Sequence, residues 1–109
     1  MQVLSQPFFG YTLKHPHRLM QRLKKGADVK QVYVITMASG ADLLEIYESG
    51  VLRQTYYKEN FERPVVGLAS DYEEALEVIM QIVEECLKAK GNCRLKEFLL
   101  ERETERCGI

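Results

Sequence analysis

The chain contains the same short pattern twice. Ser39 follows a β-branched run that ends in Met-Ala, and Ser70 follows the run Val-Val-Gly-Leu-Ala. In each copy an acidic residue lies three or four positions after the serine, and a Leu-Glu-Ile or Leu-Glu-Val step comes next. This pattern is typical of a strand that turns directly into a helix, with the serine capping the first turn of the helix. Two such units in 109 residues constrain the architecture but indicate no activity.

Length and composition predict one domain, residues 1–109, with a single hydrophobic core. The hydrophobic fraction of 46% and the charged fraction of 28% are ordinary for a soluble globular protein. The net charge of −1 gives no general support to nucleic acid or membrane as a partner. No apolar stretch approaches the roughly 20 residues of a membrane span, and the N-terminus lacks the pattern of a secretory signal. We therefore expect a cytoplasmic protein that does not contact membranes.

Four elements are predicted from local patterns. A helix is expected over residues 16–25, because a proline suits its first position and a glycine follows its end. Residues 31–37 form a β-branched and aromatic run that is typical of a buried strand. Residues 64–69 are predicted to form a second strand. Its first residue is a proline, which has no backbone N–H, and no donor is needed at the start of an edge strand. Residues 71–90 form a long helix that ends at a glycine.

The predicted helix over residues 71–90 has an unusually wide apolar face. At about 100° per residue, its apolar side chains cover roughly 200° of its surface, and glutamates fill most of the rest. One face of a small sheet does not usually cover so wide an arc. A neighbouring helix or a second subunit is therefore expected to cover the remainder. The apolar residues are Tyr72, Ala75, Leu76, Val78, Ile79, Met80, Ile82, Val83, Cys86 and Leu87.

Residues 39–49 fit two structures. As a helix, the segment is capped by Ser39 and ended by Gly50, and the repeated pattern favours this interpretation. As a strand, the segment turns at Ser49-Gly50 into a β-rich run over residues 51–57. The run 51–57 is predicted as a strand in either case.

The order of these elements predicts an α+β fold. Residues 93–100 have apolar residues at helical spacing but can also form a closing strand. With a helix at 39–49 and a strand at 93–100, the chain from residue 31 follows the βαββαβ plan of ferredoxin-like folds. We therefore expect a two-layer sandwich of a small sheet with one long C-terminal helix, preceded by a short N-terminal helix. Residues 1–13 are expected to form an irregular or edge segment, and residues 104–109 a frayed tail.

Charge is distributed unevenly along the chain. Residues 14–30 contain six Lys or Arg and one Asp, whereas residues 71–90 contain six acidic residues and two Lys. The basic helix can contact nucleic-acid phosphates, or an acidic segment of its own or a neighbouring molecule. A simply solvated face is the favoured interpretation. The candidate contact residues are Lys14, Arg18, Arg22, Lys24 and Lys25.

The two strand ends at Ser39 and Ser70 form a candidate small-ligand site, because helix N-termini carry free backbone donors. Acidic residues in the first turn of each predicted helix already satisfy the helix dipole and oppose an anion there. We therefore favour capping over ligand binding. Aromatic residues that can line such a pocket, or pack in the core, are Tyr47, Tyr56, Tyr57 and Phe61.

No catalytic, cofactor or metal motif is present. Two neighbouring histidines do not make a metal site, and the three cysteines lack the close spacing of zinc ligands. The cysteines also form no even set, so a disulfide framework is not expected. The carboxylates of residues 71–90 are expected to lie on a solvated helix face, where their pKa values are ordinary. We predict no catalytic residues, no cofactor and no metal.

Residues 31–100 resemble a family of small uncharacterised bacterial proteins. The resemblance is carried by Val34-Ile-Thr-Met-Ala-Ser and by Val65-Val-Gly-Leu-Ala-Ser-Asp-Tyr-Glu-Glu-Ala-Leu-Glu-Val. In that family a Val-Val-Gly-Ile-Ala strand precedes a Tyr-Glu-Glu-Ala helix. The resemblance implies a bacterial protein and assigns no functional residue.

The leading functional hypothesis is a small non-enzymatic binding or scaffold protein that self-associates or binds a protein partner. The first alternative is an accessory nucleic-acid-binding protein that uses the basic helix. The second alternative is a small-ligand binder or enzyme at the Ser39 and Ser70 strand ends.

Overall fold

A computed structural model of the chain describes residues 3–25, 32–37, 43–49 and 65–107. These residues form a small α+β fold with a four-stranded mixed sheet and three helices. In chain order the elements are β1 (Val3–Phe9), α1 (Pro16–Lys24), β2 (Tyr33–Met37), β3 (Leu44–Glu48), β4 (Val65–Ala69), α2 (Tyr72–Lys90) and α3 (Leu95–Cys107).

The sheet has the strand order β1-β4-β2-β3. The strands β1 and β4 run parallel to one another, although they are far apart in sequence. The strand β2 runs antiparallel to both of its neighbours, β3 and β4. All five residues of β4 are buried, which agrees with its position inside the sheet and its almost wholly apolar sequence. The carboxyl ends of β1 and β4 therefore meet at one edge of the sheet, next to the start of α2.

Four elements lie where the sequence predicts them, namely α1, β2, β4 and α2. Pro16 is the first residue of α1, and Gly91 follows α2 with a left-handed φ of 72°. The predicted edge segment contains β1, which is the outermost strand beside β4.

The prediction of a helix over residues 39–49 is wrong for the residues that the structure describes there. Leu44–Glu48 is a strand, and each of its five residues is paired antiparallel with a residue of β2. The alternation of Leu44 and Ile46 with polar neighbours has the period of a strand, and pairing with β2 outweighs the local helix-capping pattern. The predicted strand over residues 51–57 lies outside the described residues.

The C-terminal part also departs from the ferredoxin-like plan. Residues 93–100 contain the start of α3, not a closing strand, and α3 extends to Cys107, into the predicted tail. With a strand at residues 44–48 and a helix from residue 95, the observed order is not βαββαβ, and α2 is not the last helix.

Helices cover both faces of the sheet, so the arrangement differs from the predicted two layers. One core cluster joins α2 and α3 to the sheet, and a second joins α1 to the opposite sheet face. The first includes Phe8, Ile35, Met37, Val66, Ala69, Ala75, Val78, Ile82, Cys86, Leu95, Phe98 and Leu99. The second includes Leu13, Met20, Leu23, Val32, Val34, Val65 and Leu68.

The cap of α2 is Asp71, and the expectation that Ser70 caps this helix is wrong. Asp71 is in an extended conformation, and its Oδ1 accepts a hydrogen bond from the Glu74 backbone N–H at 2.7 Å. Asp is as good an N-cap as Ser, and its position one residue closer to the helix allows this bond.

Candidate functional site

The predicted site residue Ser70 belongs to a polar cluster at the carboxyl ends of β1 and β4. We call this cluster the polar lock; it consists of Gly10, Thr12, Ser70 and Glu74. Its central group is the Glu74 carboxylate, which is only 7% exposed. Glu74 lies in the first turn of α2, and Thr12 lies in the turn that follows β1.

Four donors bind the Glu74 carboxylate. Oε2 accepts from the Thr12 backbone N–H at 2.9 Å and from the Thr12 hydroxyl at 2.5 Å. Oε1 accepts from the Ser70 backbone N–H at 2.9 Å and from the Ser70 hydroxyl at 2.9 Å. The two hydroxyl oxygens also contact one another. Two donors on each oxygen satisfy the buried carboxylate, so its burial leaves no unsatisfied hydrogen-bond acceptor.

These bonds keep Glu74 ionised. Burial by itself raises the pKa of Glu74, but the hydrogen bonds from Thr12 and Ser70 outweigh burial and lower the pKa to about 2. The carboxylate is therefore a fixed negative charge at neutral pH, and a general acid or base with so low a pKa would be poorly matched to that pH.

Gly10 lets the carboxylate approach the backbone of the β1–α1 connection. A Cβ atom on Gly10 would lie 2.1 Å from Oε1 of Glu74, far inside van der Waals contact. The Gly10 N–H also donates to the Leu68 carbonyl at 3.0 Å, which fastens this connection to β4. The polar lock thus joins two segments that are about 60 residues apart in sequence.

The expectation that the carboxylates of residues 71–90 are all solvated is wrong for Glu74. The signal that could have identified it is its spacing from Asp71, since a Glu three residues after an N-cap typically reaches back to a backbone N–H. Here Glu74 reaches the N–H of Ser70. The donors of Ser70 are thus used by a side chain of the same molecule, which opposes anion binding at this strand end.

The structure describes only part of the predicted aromatic pocket. Tyr47 lies on β3, where it pairs with Val34 and its hydroxyl donates to the Glu45 carboxylate. Ser39, Tyr56, Tyr57 and Phe61 lie outside the described residues. The antiparallel pairing of β2 with β4 places Tyr33 beside Ala69, so Ser70 lies at the end of the sheet where β2 begins.

A second feature is an exposed apolar surface on α2. Its centre, Met80, is 62% exposed, and Tyr72 at the helix start is 53% exposed. At 100° and 1.5 Å per residue, the apolar residues of this surface lie within an arc of roughly 100° and extend over about 22 Å. We call this surface the apolar stripe; it consists of Tyr72, Leu76, Ile79, Met80, Val83 and Leu87.

The apolar stripe lies on the flank of α2 away from α3. The helix α3 contacts α2 and the edge strand β1, whereas β3 forms the opposite edge of the sheet. The Tyr72 ring meets Tyr33 of β2 edge-on at 6.2 Å, and the exposed Leu43 precedes β3. Among the described residues, α2 is the helix that contacts β3, whereas α3 lies against β1 on the other side. The wide apolar face predicted for this helix is therefore only partly covered.

The basic candidates lie on the opposite side of the sheet. Lys14, Arg18, Arg22 and Lys25 are exposed, and Lys24 is the last residue of α1. The α1 side chains Met20 and Leu23 bury the other face of the helix in the second core cluster. Because α1 and α2 cover opposite sheet faces, the basic helix does not face the acidic helix of its own molecule.

A groove of about 360 Å³ lies between α2 and α3. The Arg102 guanidinium at its border lies 4.3 Å from the centre of the Phe8 ring and 5.8 Å from that of Phe98. The groove is lined by Glu85, Lys88, Ala89, Phe98 and Arg102. Arg102 here covers aromatic core residues, which is a common packing role for its planar cation.

Among the described residues, no three His, Cys, Asp or Glu side chains are grouped so that they could hold a metal ion. Within the same ranges, none of the helices combines the length and the apolar character that a membrane span requires.

Comparison of the chain with protein-family models, with curated proteins and with solved structures finds no match.

Proposed function

We propose that this protein is a small binding protein that works as a homodimer, with the apolar stripe of α2 as the dimer interface. The observation that carries the proposal is a row of large apolar side chains on α2, in which Ile79 and Val83 are partly buried. The exposed members of the row are Tyr72, Leu76, Met80 and Leu87. Surface patches of this kind mark interaction sites. A second copy is the occupant that the stripe fits best, because the stripe is complementary to itself.

The self-complementarity follows from the spacing of the stripe. When two copies of α2 run antiparallel about a two-fold axis midway between Ile79 and Met80, Tyr72 lies opposite Leu87 and Leu76 lies opposite Val83. Ile79 then lies opposite Met80 of the second copy. Every apolar residue of the stripe meets another apolar residue, as a closed two-fold interface requires.

The polar flank of the stripe has the same symmetry. In this register the exposed Glu73 lies within two residues, or about 3 Å along the axis, of the level of Lys88 of the second copy, and this pair is attractive. Glu77 has the same offset from Glu84, and this pair is repulsive. Since the stripe is only about 22 Å long, we expect a concentration-dependent dimer and not a permanent one.

Sedimentation velocity from low to high micromolar concentration tests the proposal. The expected result is a monomer–dimer equilibrium that Met80→Glu shifts to monomer, because a carboxylate at the centre of the stripe would be desolvated on association. Gln81→Glu is the matched control: it adds the same charge at an exposed neighbouring position outside the stripe and should leave the dimer unchanged.

Two results would contradict the proposal. One is a wild-type protein that stays monomeric at high micromolar concentration. The other is a dimer that Met80→Glu and Gln81→Glu weaken equally. Circular dichroism of each variant confirms that the fold is intact.

A further inference from the structure

A second region, formed by α1 and the turn that precedes it, carries positive charge and an exposed aromatic ring. We infer that α1 and the turn before it bind single-stranded nucleic acid, with cations on the phosphates and Tyr11 stacked on a base. This inference goes beyond the proposed homodimer and is independent of it, since α1 and α2 cover opposite faces of the sheet.

The charged side chains of this segment itself are all basic, although the buried Glu74 carboxylate lies against Thr12. Residues 1–27 contain no Asp or Glu. Arg18, Arg22 and Lys25 are spaced by four and three residues, so they lie on one exposed face of α1. At 1.5 Å per residue the three cations form a row about 10 Å long, and the exposed Lys14 extends it beyond the helix start. A row of cations of this kind follows a phosphate backbone.

Tyr11 supplies the group that distinguishes nucleic acid from other polyanions. It is 97% exposed, which leaves both faces of its ring open to a base. It lies in the turn that Gly10 and Leu13 close with a backbone hydrogen bond of 3.4 Å, directly before α1. Stacking of bases on aromatic rings beside a cationic groove is how proteins bind single strands without sequence preference.

The polar lock holds this turn in place. Thr12, the neighbour of Tyr11, is bound to Glu74 through both its backbone N–H and its hydroxyl. The ring is thus presented from an anchored segment and not from a free loop, which reduces the ordering cost of binding. An acidic protein partner would use the cations but would have no need of an open, fixed aromatic ring.

Fluorescence anisotropy with labelled dT20, labelled rU20 and a labelled DNA duplex tests the inference. The expected result is binding of the single strands at low salt, with a slope of log K against log salt near −2 for about three phosphates. The two single-stranded probes share the phosphodiester, and their bases differ only in the methyl group of thymine, so their comparison identifies whether DNA or RNA is preferred.

The variants separate the two contributions. Arg18→Gln should weaken binding and reduce the magnitude of the salt slope by about 0.7. Tyr11→Ala should weaken binding about tenfold and leave the salt slope unchanged, because stacking releases no counterions. The matched control is Lys88→Gln, which removes an exposed cation on α2 and should leave the affinity unchanged.

Each of four results would overturn the inference. These are absence of binding at low salt, equal loss with Lys88→Gln and Arg18→Gln, full affinity in Tyr11→Ala, and displacement of dT20 by poly-glutamate as readily as by unlabelled dT20. Binding that persists in the monomeric Met80→Glu variant would show that this surface acts without the proposed dimer. Loss of binding in that variant, with circular dichroism unchanged, would show that nucleic-acid binding depends on the dimer, which contradicts the inference.

Discussion

Glu74 shows how a single side chain connects distant parts of this chain. It fixes the start of α2 and also fastens the turn between β1 and α1 through Thr12. Its four hydrogen bonds depend on the carboxylate being charged, since a protonated carboxyl or an amide would place a donor against donors. The stability of the protein should therefore depend on the ionisation of this group.

We expect the contribution of ionised Glu74 to the free energy of unfolding to decrease over a defined range of acidic pH. The pKa of Glu74 is lowered to about 2 in the folded protein from an ordinary value of 4.5. A lowered folded-state pKa stabilises the protein fully above pH 4.5, and this stabilisation is lost as the pH falls toward 2. Glu74→Gln should cost about 2 kcal/mol of unfolding free energy at pH 7, and much less near pH 2.

Urea unfolding of the wild type and of Glu74→Gln at pH 7, 4 and 2.5 measures this difference. Subtracting the unfolding free energy of the variant from that of the wild type at each pH removes the contribution of the other carboxylates, which both proteins share. Glu77→Gln, an exposed carboxylate one turn further along α2, is the control and should be neutral at every pH. A wild-type minus Glu74→Gln difference that does not change with pH would show that the charge of Glu74 contributes nothing.

Individual elements differ in how far local sequence determines them. The strands β2 and β4 and the helices α1 and α2 were predictable because each carries a strong local pattern and a defined start or end, such as Pro16 or Gly91. The strand β3 was not, because its segment also carries a helix-capping pattern, and only pairing with β2 selects the strand. Similarly, local sequence does not decide between a helix and a strand at the start of α3. Its apolar residues are at helical spacing, but it is their packing in the core with α2 that selects the helix; these residues are Leu95, Phe98 and Leu99.

The candidate surfaces were predictable to different degrees. The basic residues and the wide apolar face of α2 follow from composition and period alone. The polar lock does not, because Thr12 and Glu74 are 62 residues apart and meet only through the parallel pairing of β1 with β4. The exposure of Tyr11 is likewise a property of the folded turn and not of its sequence.

The end of α2 provides a test at the level of one element. Gly91 has a φ of 72°, and its N–H donates to the Leu87 carbonyl at 2.8 Å. A Cβ atom there would have no neighbour within 4 Å, so only backbone conformation opposes a side chain. Gly91→Ala should therefore destabilise the protein by about 1 kcal/mol, and Gly91→Asn by less, because Asn tolerates the left-handed region better. Thermal or urea unfolding measures both; an alanine variant as stable as wild type would contradict this account.

At the scale of the whole molecule, the sheet separates two surfaces of different chemistry. The apolar stripe with its acidic flank lies on the α2 side, and the basic row lies on the α1 side. Two copies joined through α2 would present two basic surfaces pointing away from the dimer axis. Such a dimer could bind one strand at two points, which raises the effective concentration of the second contact.

The antiparallel register of the proposed dimer predicts that two substitutions with the same change in net charge affect the dissociation constant in opposite directions. Glu77 lies close to Glu84 of the second copy, so Glu77→Lys converts two repulsive contacts into attractive ones and should tighten the dimer about tenfold. Glu77→Lys with Glu84→Lys restores repulsion and should return the dissociation constant to near the wild-type value. Glu73→Lys makes the same change of charge close to Lys88 and should weaken the dimer instead.

Sedimentation equilibrium at low and high salt measures these dissociation constants, and 0.5 M NaCl should reduce all three differences because the groups are exposed. Opposite responses to Glu77→Lys and Glu73→Lys distinguish this register from a parallel pair of helices, in which each residue faces its own copy and neither substitution creates an attractive contact. If both substitutions shift the equilibrium in the same direction, the two copies do not meet through antiparallel α2 helices, whatever else joins them.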